Sequence, residues 1–194
     1  MTVVKFYFDV ISPYAWLGWH QLQIIVARNP GVKIESVPIL FAALLNHYGH
    51  LGPAEIPPKR KYVMEDVARR ASRRSLRLSV PYTHPFNPLL CLRIASSNLV
   101  SASDRNTITG TLLNGVWSDG KDMTNPDVVR KTLDNAGFNG EDLVYSALND
   151  KNIKDQVRFQ TDKAITEGVF GVPTFIVKEN LFWGSDTEIM EVCE

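Results

Sequence analysis

The chain has 194 residues, 44% of them hydrophobic and 22% charged, which is ordinary globular composition and room for one domain or two small ones. Lys plus Arg number 21 and Asp plus Glu number 21, so the formal net charge is zero, and no chain-wide field draws the protein to nucleic acid or an anionic membrane. The most apolar stretch, Val37–Leu45, is interrupted by Pro38 and is far shorter than the roughly 18–20 residues that span a bilayer. The N-terminus has no basic region followed by an apolar run and a cleavage site, so no signal peptide is expected and the chain reads as cytoplasmic. Cys91 and Cys193, the two cysteines, supply neither a disulfide framework nor a metal cluster.

In chain order, Val3 to Val10 predicts a strand, with Val4, Phe6, Phe8 and Val10 on one face and Val3, Lys5, Tyr7 and Asp9 on the other. Ser12-Pro13 places a capping hydroxyl before a proline suited to the first helical turn, and Tyr14 to Arg28 follows as a helix that Asn29-Pro30-Gly31 stops. Val32 to Val37 predicts a second strand. A strand, a helix and a strand within this short span form a βαβ unit, hence parallel pairing through a right-handed crossover. The middle of the chain reads as helical. Helices are expected from Pro57 to Arg74, from Pro88 to about Ser101, from a cap at Asp104 to near Gly120, and from Asn125-Pro126 to about Gly137. Two more are expected over Glu141–Asp150 and from Ile153 to Glu167, with Gly168 as a stop. The period then changes to strands at Thr174–Lys178 and Leu181–Trp183 around a turn at Glu179-Asn180, and Gly184-Ser185-Asp186 leads into a short final helix.

Two local signals carry chemistry. Asp9-Val10-Ile11-Ser12-Pro13-Tyr14-Ala15-Trp16 lies where the first strand hands over to the first helix, where open α/β sheets bind ligands and unpaired N–H groups favour an anion. Taken alone, Ser12 reads first as an ordinary N-cap, the commonest use of serine before proline. Gly171-Val172-Pro173-Thr174-Phe175 puts a proline at the start of a strand, a position proline tolerates in either isomer, cis being the rarer. Neither signal says much by itself.

In combination and order, these segments resemble the thioredoxin fold, in which Cys-x-x-Cys opens the first helix and faces a cis-proline. The fold class implied is α/β, a thioredoxin-like βαβ … ββα interrupted by an all-helical insertion similar to that of DsbA. Residues 1–56 and 151–194 form the thioredoxin-like part and 57–150 the insertion. Ser12 and Ala15 stand at the two cysteine positions, and dithiol–disulfide exchange needs two sulfurs, so that redox chemistry is excluded. A DsbA-like chain with serine there is similar to the kappa-class glutathione transferases and the 2-hydroxychromene-2-carboxylate isomerases. The resemblance rests on Phe8 to Gly18, Pro57 to Tyr62, Gly171-Val172-Pro173 and Gly184-Ser185-Asp186.

The resemblance implies glutathione as cofactor, with Ser12 as the catalytic group that stabilises its thiolate. A thiol of pKa about 8.5 is only a few per cent ionised at neutral pH, and a charge-assisted hydrogen bond is on the scale of about 1.4 kcal/mol per unit of lowered pKa. It further implies that the Val172 backbone before a cis-Pro173 meets the cysteinyl unit, that Ser185 and Asp186 hold the γ-glutamyl end, and that Lys59 approaches a carboxylate. Ser185-Asp186 is also an ordinary helix start, and Lys59 an ordinary solvated cation. His50, with His47 nearby, occupies the position where kappa-class proteins carry an asparagine that contacts glutathione and is the candidate cofactor contact here; a neutral imidazole does not duplicate an amide, which weakens binding in the kappa manner and leaves another substrate or another thiol open.

Tyr14, Trp16 and Trp19 are candidates for an aromatic substrate pocket, although core packing is the better reading for at least one of them. Cys91 reads as a buried small hydrophobe, Cys193 as inert, the Arg69–Arg74 run as a solvated basic face, and His84 as a loop residue without a visible partner. The implied activity is glutathione-dependent cis–trans isomerisation of an unsaturated, ring-opened aromatic catabolite, with a kappa-like transferase and a non-catalytic binding module as alternatives. The expected partner is a small-molecule substrate, with no nucleic acid, membrane or metal. The family implies a homodimer.

Overall fold

The computed structural model describes residues 2–185; the predicted final helix, Asp186 and Cys193 lie outside them. Strand β1 (Thr2–Phe8), helix α1 (Pro13–Arg28) and strand β2 (Val32–Pro38) form the expected βαβ unit, with β1 parallel to β2 from Thr2↔Val32 to Phe8↔Pro38. After α2 (Phe41–Tyr48) and a single 3-10 turn at Pro53–Glu55 come α3 (Pro57–Arg73), α4 (Leu89–Ser96), α5 (Ala102–Trp117), α6 (Pro126–Asn135), α7 (Gly140–Asn149) and α8 (Lys151–Thr166). Strands β3 (Thr174–Val177) and β4 (Asn180–Trp183) close the described chain as an antiparallel hairpin. The sheet order is β2-β1-β3-β4, with β3 antiparallel to β1, which is the arrangement of a thioredoxin fold.

Alternation along β1 sorts its side chains onto two covered faces. Val4, Phe6 and Phe8 are fully buried on the α1 face, where Phe6 stacks on Phe8 at 5.2 Å and on Phe175 at 5.3 Å between ring centroids. That cluster continues without a break through Val67, Leu112, Trp117, Leu133 and Val144, so α3 and α5–α7 share one core with the sheet. Tyr7 belongs to a smaller cluster on the opposite face with Ile39, Leu44, Ala164 and Val172. Its hydroxyl donates to Glu167, whose carboxylate also receives Lys5 at 3.1 Å, so the mixed polarity of that face is satisfied by ion pairing rather than by solvent.

Several boundaries differ from expectation for identifiable reasons. Helix α2 falls in the apolar run for which no element was expected; it begins without a side-chain cap and ends at Gly49, whose φ of 67° is left-handed. Helix α5 is capped by Ser101, which accepts from the Asp104 N–H at 3.1 Å, so Asp104 sits inside the first turn rather than before it. Helix α4 stops at Ser96, and the Arg105 guanidinium donates to carbonyls of Ala95, Ser97 and Val100 just beyond. The hairpin turn lies at Lys178-Glu179, one residue earlier than expected, with Lys178 at φ 56°. Among the described residues, no helix is long and apolar enough to cross a membrane.

Candidate active site

Ser12 caps α1 in an extended conformation (φ −91°, ψ 116°), and its Oγ accepts the Ala15 N–H at 3.2 Å. Accepting leaves its one hydrogen free, and that hydrogen is directed at the carbonyl of Val172, 3.4 Å away. The Val172-Pro173 peptide is cis, and the Ser12–Val172 contact brings the first helix against the loop before β3. A bond at 3.4 Å is at the long limit of hydrogen bonding, and a stronger acceptor placed there competes for the same O–H. Gly18, further along α1, lets the helix approach this loop and β3 closely: a Cβ would lie 2.9 Å from Phe175 and 3.2 Å from Pro173.

The turn between β1 and Ser12 is held from beneath. Asp9 is fully buried; one carboxylate oxygen accepts from Ile11 N at 3.0 Å and the other from Phe41 N, the first residue of α2, at 2.9 Å. Burial pushes its carboxyl up to about 7 against the opposing pull of those two N–H groups. Trp117 donates from Nε1 to Val10 O at 2.8 Å, and His84 Nε2 lies 3.0 Å from Ile11 O. His84, expected to have no partner, therefore touches the residue next to Ser12. Cys91 lies buried nearby, its thiol pushed up to about 12 by burial and by Asp9, and so remains a protonated core group.

Ser185 is buried, its Oγ has no hydrogen-bond partner among the described residues, and its carbonyl receives Arg74 at 3.0 Å while the same guanidinium donates to Leu17 O at 3.2 Å. Arg74 thus ties the end of β4 to α1, and Arg70 donates to Asp66 at 2.6 Å. The basic run is in part structural rather than a solvated face. Lys59 is exposed in the first turn of α3, where Pro57-Pro58 is followed by Lys59, Arg60 and Lys61 with no acidic residue, so cations and the positive helix end reinforce one another. His50 is exposed just beyond α2, on the connection leading to Lys59.

Two of the aromatic candidates are otherwise engaged. Trp16 is fully buried and donates from Nε1 to Asn114 at 3.0 Å, so it belongs to the core and does not line a pocket. Tyr14 is half-buried with its hydroxyl donating to Asp66 at 2.9 Å and its ring under Arg70. Burial opposes the Asp66 charge, but Tyr14 and Arg70 outweigh it and hold the carboxyl below its ordinary range, so this is a stable anion locking Tyr14 in place. Asp9, His84, Trp117 and Arg74 escaped the sequence reading. Asp9 alone carried a signal, a carboxylate at the end of an apolar strand.

The DSBA-like thioredoxin domain family model matches residues 3–190. The chain belongs to this family. Among individual members, it is 26% identical over 185 residues to a 2-hydroxychromene-2-carboxylate isomerase of Sphingobium xenophagum, covering 94% of this chain and 92% of that protein. It is 28% identical over 181 residues to glutathione S-transferase kappa 2 of Caenorhabditis elegans, covering 88% and 79%. A solved 2-hydroxychromene-2-carboxylate isomerase superposes with a TM-score of 0.87 at 22% identity over 97% of this chain and 92% of that one, which establishes the common fold.

Proposed function

We propose that the protein is a glutathione-dependent cis–trans isomerase of the 2-hydroxychromene-2-carboxylate type, acting on unsaturated aromatic catabolites. The observation that carries the reading is the Ser12 hydroxyl, which caps α1 and aims its hydrogen across the site at Val172. The residues present fit the tripeptide: Ser185 Oγ is a buried hydroxyl without a partner among the described residues, and positive charge is concentrated at the start of α3. Glutathione, when bound, supplies a nucleophilic sulfur whose reversible addition to an unsaturated carbon permits rotation about the former double bond. Ser12 would donate its O–H to that sulfur, and the N-terminal end of α1 would favour the negative charge. The Val172 backbone, Ser185 and Asp186 would hold the cysteinyl and γ-glutamyl units, with Lys59 and His50 toward the glycyl carboxylate. No protein sulfur takes part. Residues 57–150 form the helical insertion that braces the site, and the working protein is a cytoplasmic homodimer.

Calorimetry with glutathione tests the reading: saturable binding is expected, weakened by Asp186→Ala, and equal negligible heats for both proteins would refute it. The kappa-class relatives support a second reading, conjugation with release of the adduct. Product analysis with unsaturated aromatic pyruvates separates the two, since the isomerase returns glutathione unchanged and the transferase consumes it.

A further inference from the structure

We infer that His84 is a positioning residue of the Ser12 site, its Nε2–H gripping the Ile11 carbonyl and so setting the peptide that leads into the capping serine. The contact stands on geometry; its functional meaning rests on the thiol chemistry proposed above.

The carbonyl of Ile11 only accepts, so the His84 nitrogen 3.0 Å away carries the hydrogen. Burial disfavours the imidazolium and Arg60 adds repulsion, together outweighing the support of the Ile11 bond, so the ring is neutral. Nδ1 is then bare, and it is buried without a partner. Protonating it would put an unpaired N–H into the same apolar surroundings. The tautomer is therefore Nε2–H. The ring is wedged edge-on against Trp117 at 5.4 Å and Phe86 at 6.3 Å, and Arg60 donates to the His84 carbonyl at 2.5 Å, so both the ring and its backbone are held.

This donor acts at the point that matters most for Ser12. The Ile11–Ser12 peptide is pinned at both ends, its oxygen by His84 and its N–H by Asp9 O at 3.0 Å. Rotation of that peptide would change where the Ser12 side chain points relative to Val172. An aromatic ring of similar size fills the space but supplies no hydrogen, which separates positioning from packing.

The test compares His84→Phe and His84→Gln with the wild type, titrating the thiol of bound glutathione by ultraviolet absorbance and following amide exchange at Ser12. Support requires the bound thiol of His84→Phe to titrate higher, with Ser12 exchange faster by about tenfold, while His84→Gln, which retains a donor, stays close to wild type. Identical titration and exchange in His84→Phe would overturn the inference even though glutathione still binds. Failure of the wild type to bind glutathione would instead remove the proposed function and leave the exchange comparison to decide the positioning role. Should His84→Phe not fold, nitrogen NMR of the wild type decides: an Nε2–H tautomer supports the inference and an Nδ1–H tautomer sinks it.

Discussion

Replacing Ser12 by alanine removes two distinct interactions, and each has its own magnitude. The Oγ acceptor that caps Ala15 N–H disappears, which costs about 1 kcal/mol of stability. The O–H donor disappears as well. A hydrogen bond to a charged group contributes about 1.5 kcal/mol, and one pKa unit corresponds to about 1.4 kcal/mol, so the bound thiol of Ser12→Ala should titrate about one unit higher. At neutral pH that is close to a tenfold loss of thiolate and a similar loss of turnover. Ser12→Asp separates the two effects. Its carboxylate still accepts from Ala15 N–H, so the helix stays capped, but an ionised side chain donates nothing and repels the sulfur. The assay is an ultraviolet titration of glutathione bound to each protein, with thermal unfolding as the stability control. Ser12→Asp should melt near the wild type and acidify the thiol least. A titration midpoint common to all three proteins would refute the role given to the hydroxyl.

Two other perturbations test how the fold supports this corner. Gly18→Ala introduces a Cβ within 2.9 Å of Phe175 and 3.2 Å of Pro173, and overpacking of about 1–3 kcal/mol outweighs the helix-propensity gain of about 1 kcal/mol. Its melting temperature should fall and its affinity for glutathione should weaken together, because the added Cβ presses on Phe175 and on Pro173, the residue that follows Val172. Asp9 has a folded-state pKa pushed up to about 7, above its unfolded value, so the native state holds the proton more tightly than the unfolded chain. Its contribution to stability is thus fully present below the unfolded value of about 3.9 and is lost as pH rises through the folded value. Asp9→Asn, which cannot titrate, should flatten the decline in stability between those limits in denaturant melts taken across that range. An unaltered pH profile would remove Asp9 as its source.

What the amino-acid order determined by itself was local. Ser12-Pro13 capping a helix, the βαβ unit of Val3 to Val37, the glycine and proline punctuation of the later helices, and the lack of cysteine at Ser12 and Ala15 all depend on neighbours within a turn or a pleat. Those short-range preferences act the same way in any fold. The resemblance of Gly171-Val172-Pro173 to a known loop added the cis bond opposite Ser12, which spacing alone left open. Tertiary structure decided the rest. Trp16 and Tyr14 look alike as aromatic candidates, yet Asn114 draws one into the core and Asp66 locks the other, and both partners lie far away in the chain. Asp9 and His84 differ from ordinary polar residues because packing removes water around them and brings Phe41 within reach of one and Ile11 within reach of the other. Burial and long-range hydrogen bonding are properties of the assembled core, and no local pattern of residue types encodes which distant group will arrive.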